Sequence, residues 1–262
     1  MPSELHASWL GRVDYLAAWR LQEAVAARVG SGAPERLLLL EHDPVYTIGR
    51  RGSLDHLTAS LPELRAAGAS VYRVDRGGDI TYHGPGQLVG YPIVALGQAP
   101  DVVAYVRALE DAIRASLADF GIGSRTIDGK TGVWVEVDPR GRPGPAAREA
   151  KIAAIGVRVS RGITRHGFAL NVSTDLAAFE RMIPCGFVHD VASLQRLGVR
   201  ASVRAVGERV ADVLAARLGR ELRWERDLAP AGEDEVPAEA PVRTAEDLLA
   251  RVGAGTAEAL AS

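Results

Sequence analysis

The chain has 262 residues, 47% of them hydrophobic, and a formal net charge of −2, enough apolar content for a substantial core in one domain or one domain with an appendage. The near-neutral charge argues against a sequence-independent nucleic-acid binder, and a lone cysteine rules out an internal disulfide framework. No segment approaches the ~18 apolar residues of a membrane span, and Met1-Pro2-Ser3-Glu4-Leu5-His6 lacks a basic stretch followed by an apolar run, so a cytoplasmic protein without membrane contact is expected.

In chain order, Asp14 can cap a helix whose Ala17, Ala18, Leu21, Ala24 and Val25 form one apolar stripe, and Arg36 to Glu41 then reads as a buried strand. Arg76 to Gln87 (Arg-Gly-Gly-Asp-Ile-Thr-Tyr-His-Gly-Pro-Gly-Gln) reads as a glycine-rich loop between two strands. Asp101 to Phe120 is a second amphipathic helix closed by Gly121. Gly132 to Val137, Lys151 to Ser160 and Gly162 to Asn171 are successive strands, and Ser202 to Leu218 is a third helix ended by Gly219. Helices alternating with strands, some joined by turns as short as Arg161-Gly162, predict an α/β (α+β) fold with a mixed sheet flanked by helices. Asp138 to Arg148, rich in Pro, Gly and Arg, is expected to be a mobile loop. Residues 228–262 hold seven acidic and two basic residues, and are expected to form a partly disordered tail: a linker at Ala229 to Pro241, then a short helix at Thr244 to Val252.

Several residue patterns bear on chemistry. The 31 basic residues comprise 29 arginines and two lysines, Lys130 and Lys151. Arginine keeps its proton in proteins whereas a lysine can be tuned as an acid or base, so each lysine is a candidate for work arginine cannot do, chance retention being the alternative. In Arg76 to Gln87, glycines let backbone N–H groups approach a ligand, while Arg76, Tyr82 and His83 can orient it; a structural double turn with a hydrogen-bonded histidine is the other reading. A nucleotide loop is disfavoured, because the nearest P-loop match, Gly123 to Gly129-Lys130-Thr131, has five intervening residues where four are required. The histidines at 6, 42, 56, 83, 166 and 189 lack paired helical spacing, which argues against a metal. Cys185, between Pro184 and Gly186, suits a nucleophile turn in which neighbouring N–H groups stabilise an oxyanion, although a single cysteine is more often a small buried hydrophobe.

Four blocks in order resemble the lipoyl(octanoyl) transferases: Glu41-His42-Asp43-Pro44-Val45-Tyr46-Thr47-Ile48-Gly49-Arg50-Arg51-Gly52, then Arg76 to Gln87, Lys151-Ile152-Ala153-Ala154-Ile155-Gly156, and Pro184-Cys185-Gly186. The likeness runs from about Leu5 to Glu225, and its most specific parts are the glycine-rich loop and the 34-residue separation of Lys151 from Cys185. It implies the biotin/lipoate protein ligase fold, with residues 1–227 as the acyltransferase catalytic domain. It also implies transfer of octanoyl from acyl carrier protein to a lysine of lipoyl domains, those of 2-oxoacid dehydrogenase E2 subunits and of glycine cleavage H protein. By the same resemblance Cys185 and Lys151 are the catalytic pair. Substrate contacts fall on Arg76, Gly77, Gly78, Asp79, Ile80, Thr81, Tyr82 and His83, on Ala154, Ile155 and Gly156, and on Gly167, Phe168 and Ala169. Neither cofactor nor metal is implied. The alternatives are an ATP-dependent lipoate or biotin ligase of the same fold, which needs no nucleophilic cysteine, and a module that merely binds one of these partners.

Overall fold

The computed structural model describes residues 3–138, 148–183 and 190–225. Cys185 with its flanking Pro184 and Gly186, the interior of the loop between Asp138 and Arg148, and the tail from Leu228 lie outside the described residues. The elements in order are β1 (Ser3–Val13), α1 (Tyr15–Gly30), β2 (Glu35–His42), β3 (Val45–Ile48), α2 (Leu61–Ala66), β4 (Ser70–Arg73), β5 (Ile80–His83), β6 (Gln87–Ile93) and α3 (Val102–Asp119). They continue with β7 (Arg125–Ile127), β8 (Lys130–Val137), β9 (Arg148–Ser160), β10 (Ile163–Asn171), β11 (Asp190–Val191), α4 (Val203–Arg217) and β12 (Arg220–Trp224).

The three expected long helices form where capping chemistry predicts. Asp14 accepts the Ala17 N–H at 2.9 Å, Asp101 that of Ala104 at 2.8 Å and Ser202 that of Ala205 at 3.1 Å, each satisfying an otherwise orphan donor of the first turn. Gly121 and Gly219 follow the C-termini of α3 and α4 with φ of 76° and 67°, a conformation glycine adopts without steric cost.

Among the described residues the large sheet runs β12-β1-β2-β6-β10-β9-β8-β7, with β11 added beside β9. It is mixed as expected: β1 is parallel to β2 and β12, and β11 to β9, while the other pairs are antiparallel. Strand alternation sorts the core into two layers. Leu37 and Leu39 of β2 pack with α3 and α4, whereas Leu38 and Leu40 face α1. Both faces are covered, which is why β2 is four consecutive leucines.

Several elements were not expected from the sequence, α2, β7, β11 and β12 among them, and two further departures have clear causes. β1 escaped the sequence reading because its partners, β2 and β12, are remote in sequence and its Trp9/Arg12 irregularity breaks the alternation. Arg76 to Gln87 is not one loop: its Ile80–His83 stretch is β5, the antiparallel partner of β3 in a small sheet ordered β4-β3-β5. Pairing with a strand some 35 residues upstream supplies the hydrogen bonds that local sequence does not announce.

Candidate active site

The first two blocks singled out in the sequence fold as one unit. β3 and β5 pair from Val45–His83 to Ile48–Ile80, and beyond them the turns are laced by backbone bonds: Gly49 N–H to Asp79 O (2.9 Å), Arg50 N–H to Arg76 O (3.0 Å) and Arg51 N–H to Gly78 O (3.1 Å). The approach is close enough that a Cβ on Gly49 would stand 2.5 Å from the Gly78 carbonyl oxygen, so only glycine fits. Arg76 is buried, and its guanidinium donates to Thr47 O (2.6 Å), Thr47 Oγ1 (2.9 Å) and Gly77 O (2.9 Å). In this conformation Arg76 therefore braces the glycine loop against β3. At the other end of the unit, Glu41 accepts the Gly86 N–H at 2.6 Å, and burial raises the pKa of its carboxyl.

This unit rests on the large sheet where the other predicted residues lie. Gly77 donates its N–H to Val157 O at 3.0 Å, and a Cβ on Gly156 would come within 3.0 Å of Gly77 O. Ala154–Ala169, Ile155–Phe168 and Gly156–Gly167 are cross-strand partners between β9 and β10, so the two predicted triplets are one patch of sheet. Their side chains divide by face. Phe168 turns into the α3/α4 core, its ring over Gly90, while Ala169 faces α1. A ligand contact from Phe168 would thus come from its backbone.

Two irregularities bring further side chains to the α1 face. Trp134 pairs with Lys151 but Val133 pairs with Ala153, leaving Ile152 as an extra residue in β9. Ile152 and Ala153 both enter the α3/α4 core, and this bulge turns Lys151 to the same face as Ala154 and Gly156, a result plain alternation would not give. On β10, His166 takes the left-handed backbone (φ 56°), rare for a residue with a side chain. It lets neighbours Arg165 and His166 reach one carboxylate: Asp75 receives Arg165 Nη2 and His166 Nε2, each at 2.7 Å. The His166 bond, with Arg165 and Arg158 nearby, lowers the Asp75 pKa to about 2. The residue preceding Arg76 is thereby anchored to the strand that carries Gly167.

Histidines crowd the same face. His42 is fully buried, its Nδ1–H donating to Val13 O (2.8 Å) and its Nε2 accepting from the Tyr91 hydroxyl (2.7 Å). His83 Nδ1 donates to Gln87 Oε1 (2.7 Å), whose amide nitrogen is committed to Asn171 Oδ1 (2.9 Å), and its ring stacks on Tyr15. Burial lowers the pKa of His42 to about 4 and also lowers those of His83 and His166, so all three are neutral at neutral pH. Because the unfolded chain binds these protons more readily, the stability they contribute is complete above about pH 6.5 and declines as pH falls toward 4. Asp75 plays no part in that window, its own loss lying between its ordinary carboxylate range and about 2. Urea unfolding midpoints are expected to drop between pH 7.5 and 4.5, with on the order of 3 kcal/mol from His42 alone; an unchanged midpoint would contradict neutral burial.

Sequence reasoning did not nominate Asp75, His166, Trp134 or His56. His56 Nδ1 lies 2.8 Å from Asp79 Oδ1, and the His56 carbonyl accepts the Ile183 N–H at 2.8 Å. Asp75 could have been suspected from its place beside Arg76; the others carry no local signal. Among the described residues no cluster of His, Cys, Asp or Glu could hold a metal ion, and no helix is long and apolar enough to cross a membrane.

The chain is 52% identical over 202 residues to an octanoyltransferase from Solibacter usitatus (76% of this chain, 86% of that protein) and 46% identical over 226 residues to one from Thermobifida fusca (82% and 91%). In fold it matches a bi-partite lipoate protein ligase from Thermoplasma acidophilum, with a TM-score of 0.69 at 19% identity over 86% of this chain and 87% of that one. A lipoate-protein ligase A bound with ATP superposes with a TM-score of 0.68 at 18% identity, over 86% of this chain and 89% of that one. The expected lipoate-ligase type of fold is thereby established. The model of the lipoyl protein ligase A/B catalytic domain matches residues 14–215, and with it the chain belongs to that family.

Proposed function

We propose that this protein is an octanoyltransferase of lipoate biosynthesis that takes octanoyl from acyl carrier protein, holds it as a thioester on Cys185, and passes it to a lysine of a lipoyl domain. The observation that carries the reading is the 46–52% identity to octanoyltransferases along three quarters or more of the chain. The ATP-dependent ligases resemble it only at 18–19% identity, a likeness of fold and not of chemistry. The acceptors would be the lipoyl domains of 2-oxoacid dehydrogenase E2 subunits and of glycine cleavage H protein.

The chemistry needs two balanced steps. The Cys185 thiolate attacks the donor thioester: a new S–C bond forms, the carrier S–C bond breaks, and the carrier leaves as its thiolate. One thioester replaces another at nearly equal energy. The acceptor amine then attacks, an N–C bond forms, the Cys185 S–C bond breaks, and the amine proton is passed on through Lys151. Forming an amide makes this step downhill, so no ATP is needed. Lys151 first favours the thiolate as a nearby cation and then serves in proton transfer. Support for the pairing comes from connectivity: Val191 pairs with Lys151 in register, and six peptide units separate Cys185 from Val191, at most ~20 Å of chain. The loop Arg76 to His83 and the patch of Ala154 to Gly156 with Gly167 to Ala169 would bind the acyl chain. Residues 1–227 are proposed as the catalytic unit, its end held by Glu225, whose N–H reaches Ala7 O at 3.0 Å.

Intact-mass spectrometry after incubation with octanoyl-acyl carrier protein tests this. One octanoyl adduct mapping to Cys185, discharged by a lipoyl domain without ATP, is expected. Transfer that requires octanoate plus ATP and leaves no adduct would favour the ligase reading.

A further inference from the structure

The chain's two lysines, set among 29 arginines, both lie against one aromatic ring. Lys151 Nζ is 4.7 Å and Lys130 Nζ 5.5 Å from the centre of the Trp134 indole, within the range where the negative π face attracts an ammonium. Their settings differ. Lys130 is exposed and ion-paired with Glu149 at 3.2 Å, whereas Lys151 is part-buried and directly opposite Trp134 in the β8–β9 register.

The ring is held firmly. Trp134 is 2% exposed and donates its Nε1–H to the Lys130 carbonyl at 3.2 Å, so its plane is set from both ends. Beside it, Gly132 has φ of 122°, and a Cβ there would stand 2.6 Å from Ala153 O and 3.4 Å from Lys151 Cε. Glycine at 132 thus avoids a clash with the Ala153 carbonyl, and the lysine stem passes beside it at contact distance. Fully buried Glu110 of α3 accepts the Gly132 N–H at 2.9 Å and pairs with Arg107 at 2.6 Å, fixing that backbone. The bulge at Ile152 aims Lys151 outward, and its amine lies over the Trp134 ring.

We infer that Trp134 is a positioning residue for Lys151, its indole face receiving the ammonium and holding it on the side of the sheet that carries Ala154 and Gly156. The inference rests on the role proposed above for Lys151. Phenylalanine at this position retains a π face and arginine at 151 could still stack on it, whereas an aliphatic side chain of similar bulk fills the space without attracting a cation.

The small lysine count makes the test direct. Reductive methylation with 13C-formaldehyde labels the two lysine side chains and the N-terminal amine while keeping their charge, and the resonance missing from Lys151→Arg is that of Lys151. The Lys151 methyl resonance is expected to show an upfield ring-current shift in the wild type, a smaller one in Trp134→Phe and none in Trp134→Leu. In unmethylated protein, kcat for octanoyl transfer should fall about tenfold in Trp134→Leu with donor KM little changed, and Trp134→Phe should recover to within about threefold of wild type. An unshifted Lys151 resonance in the wild type, or wild-type turnover in Trp134→Leu, overturns the inference. The wild-type shift needs only the lysine-to-arginine variant for its assignment, so a leucine variant that fails to fold leaves the test standing. Lys151→Ala run alongside separates the two ideas: full turnover there sinks the role of the lysine itself, while an inactive Lys151→Ala beside a fully active Trp134→Leu sinks only the role of the indole.

Discussion

Cys185→Ser is expected to abolish the acyl-enzyme, with transfer reduced by at least about 10³-fold at neutral pH. A hydroxyl is far harder to ionise than a thiol, and a nearby ammonium that suffices to favour a thiolate cannot generate an alkoxide. Serine becomes an effective nucleophile only beside a general base oriented by a third group. The sequence suggested no such arrangement, but two Asp–His pairs occur among the described residues, and one of them bears on the point. His56 is oriented by Asp79 at 2.8 Å, and its carbonyl holds Ile183, two residues before Cys185. Its backbone is thereby tied to the segment that leads to Cys185. Intact mass of Cys185→Ser after exposure to octanoyl-acyl carrier protein should therefore be followed for hours as well as minutes, with Cys185→Ala as the blank. A stable octanoyl ester on the variant's serine, formed at a rate near that of the wild-type thioester, would sink the thiolate mechanism. The same ester lost in Cys185→Ser/His56→Ala would identify the base.

The second large effect concerns the lysine. Lys151→Ala is expected to lose both thiol reactivity at neutral pH and transfer, whereas Lys151→Arg should retain much of the former and lose the latter by about 10²-fold. Arginine keeps the positive charge that favours the thiolate, and its guanidinium stacks on an indole as readily as an ammonium does, so Trp134 should still hold it. What arginine cannot do is give up and regain a proton near neutrality, as removal of the amine proton of the acceptor requires. Alkylation rates of Cys185 against pH, measured beside transfer rates for the wild type and both variants, separate charge from proton transfer. Full transfer in Lys151→Ala would defeat the mechanism; equal loss of alkylation and transfer in Lys151→Arg would mean the lysine acts through geometry that arginine cannot copy.

The long helices were legible in the sequence because their signals are local. Asp14, Asp101 and Ser202 cap within three residues of themselves, and Gly121 and Gly219 mark stops that any neighbouring chain would respect. The four-leucine run of β2 and the turn at Arg161-Gly162, with φ of 50° and 77°, are equally short-range. The glycine-rich stretch and Lys151 stood out for a different reason: their residue types are unusual against an arginine-rich, alanine-rich background, and the roles proposed for them rest on the resemblance.

What the sequence by itself determined, then, was the mixed α/β character and the positions of the three long capped helices, and it nominated the loop and lysine proposed for the site. Only the tertiary structure decided which way those side chains point. β5 exists because β3 lies alongside it, and β1 because β2 and β12 do; neither strand has enough internal signal without its partner. Strict alternation would have placed Lys151 and Ala154 on opposite faces, and Arg165 and His166 likewise. One extra residue at Ile152 and one left-handed residue at His166 reverse both assignments. Such irregularities are stabilised by contacts remote in sequence, Glu110 on Gly132 and Gln22 and Asp75 on His166. A periodicity reading sees spacing along one strand, whereas the facing of these side chains is set by hydrogen bonds from other elements that close only when the chain has folded.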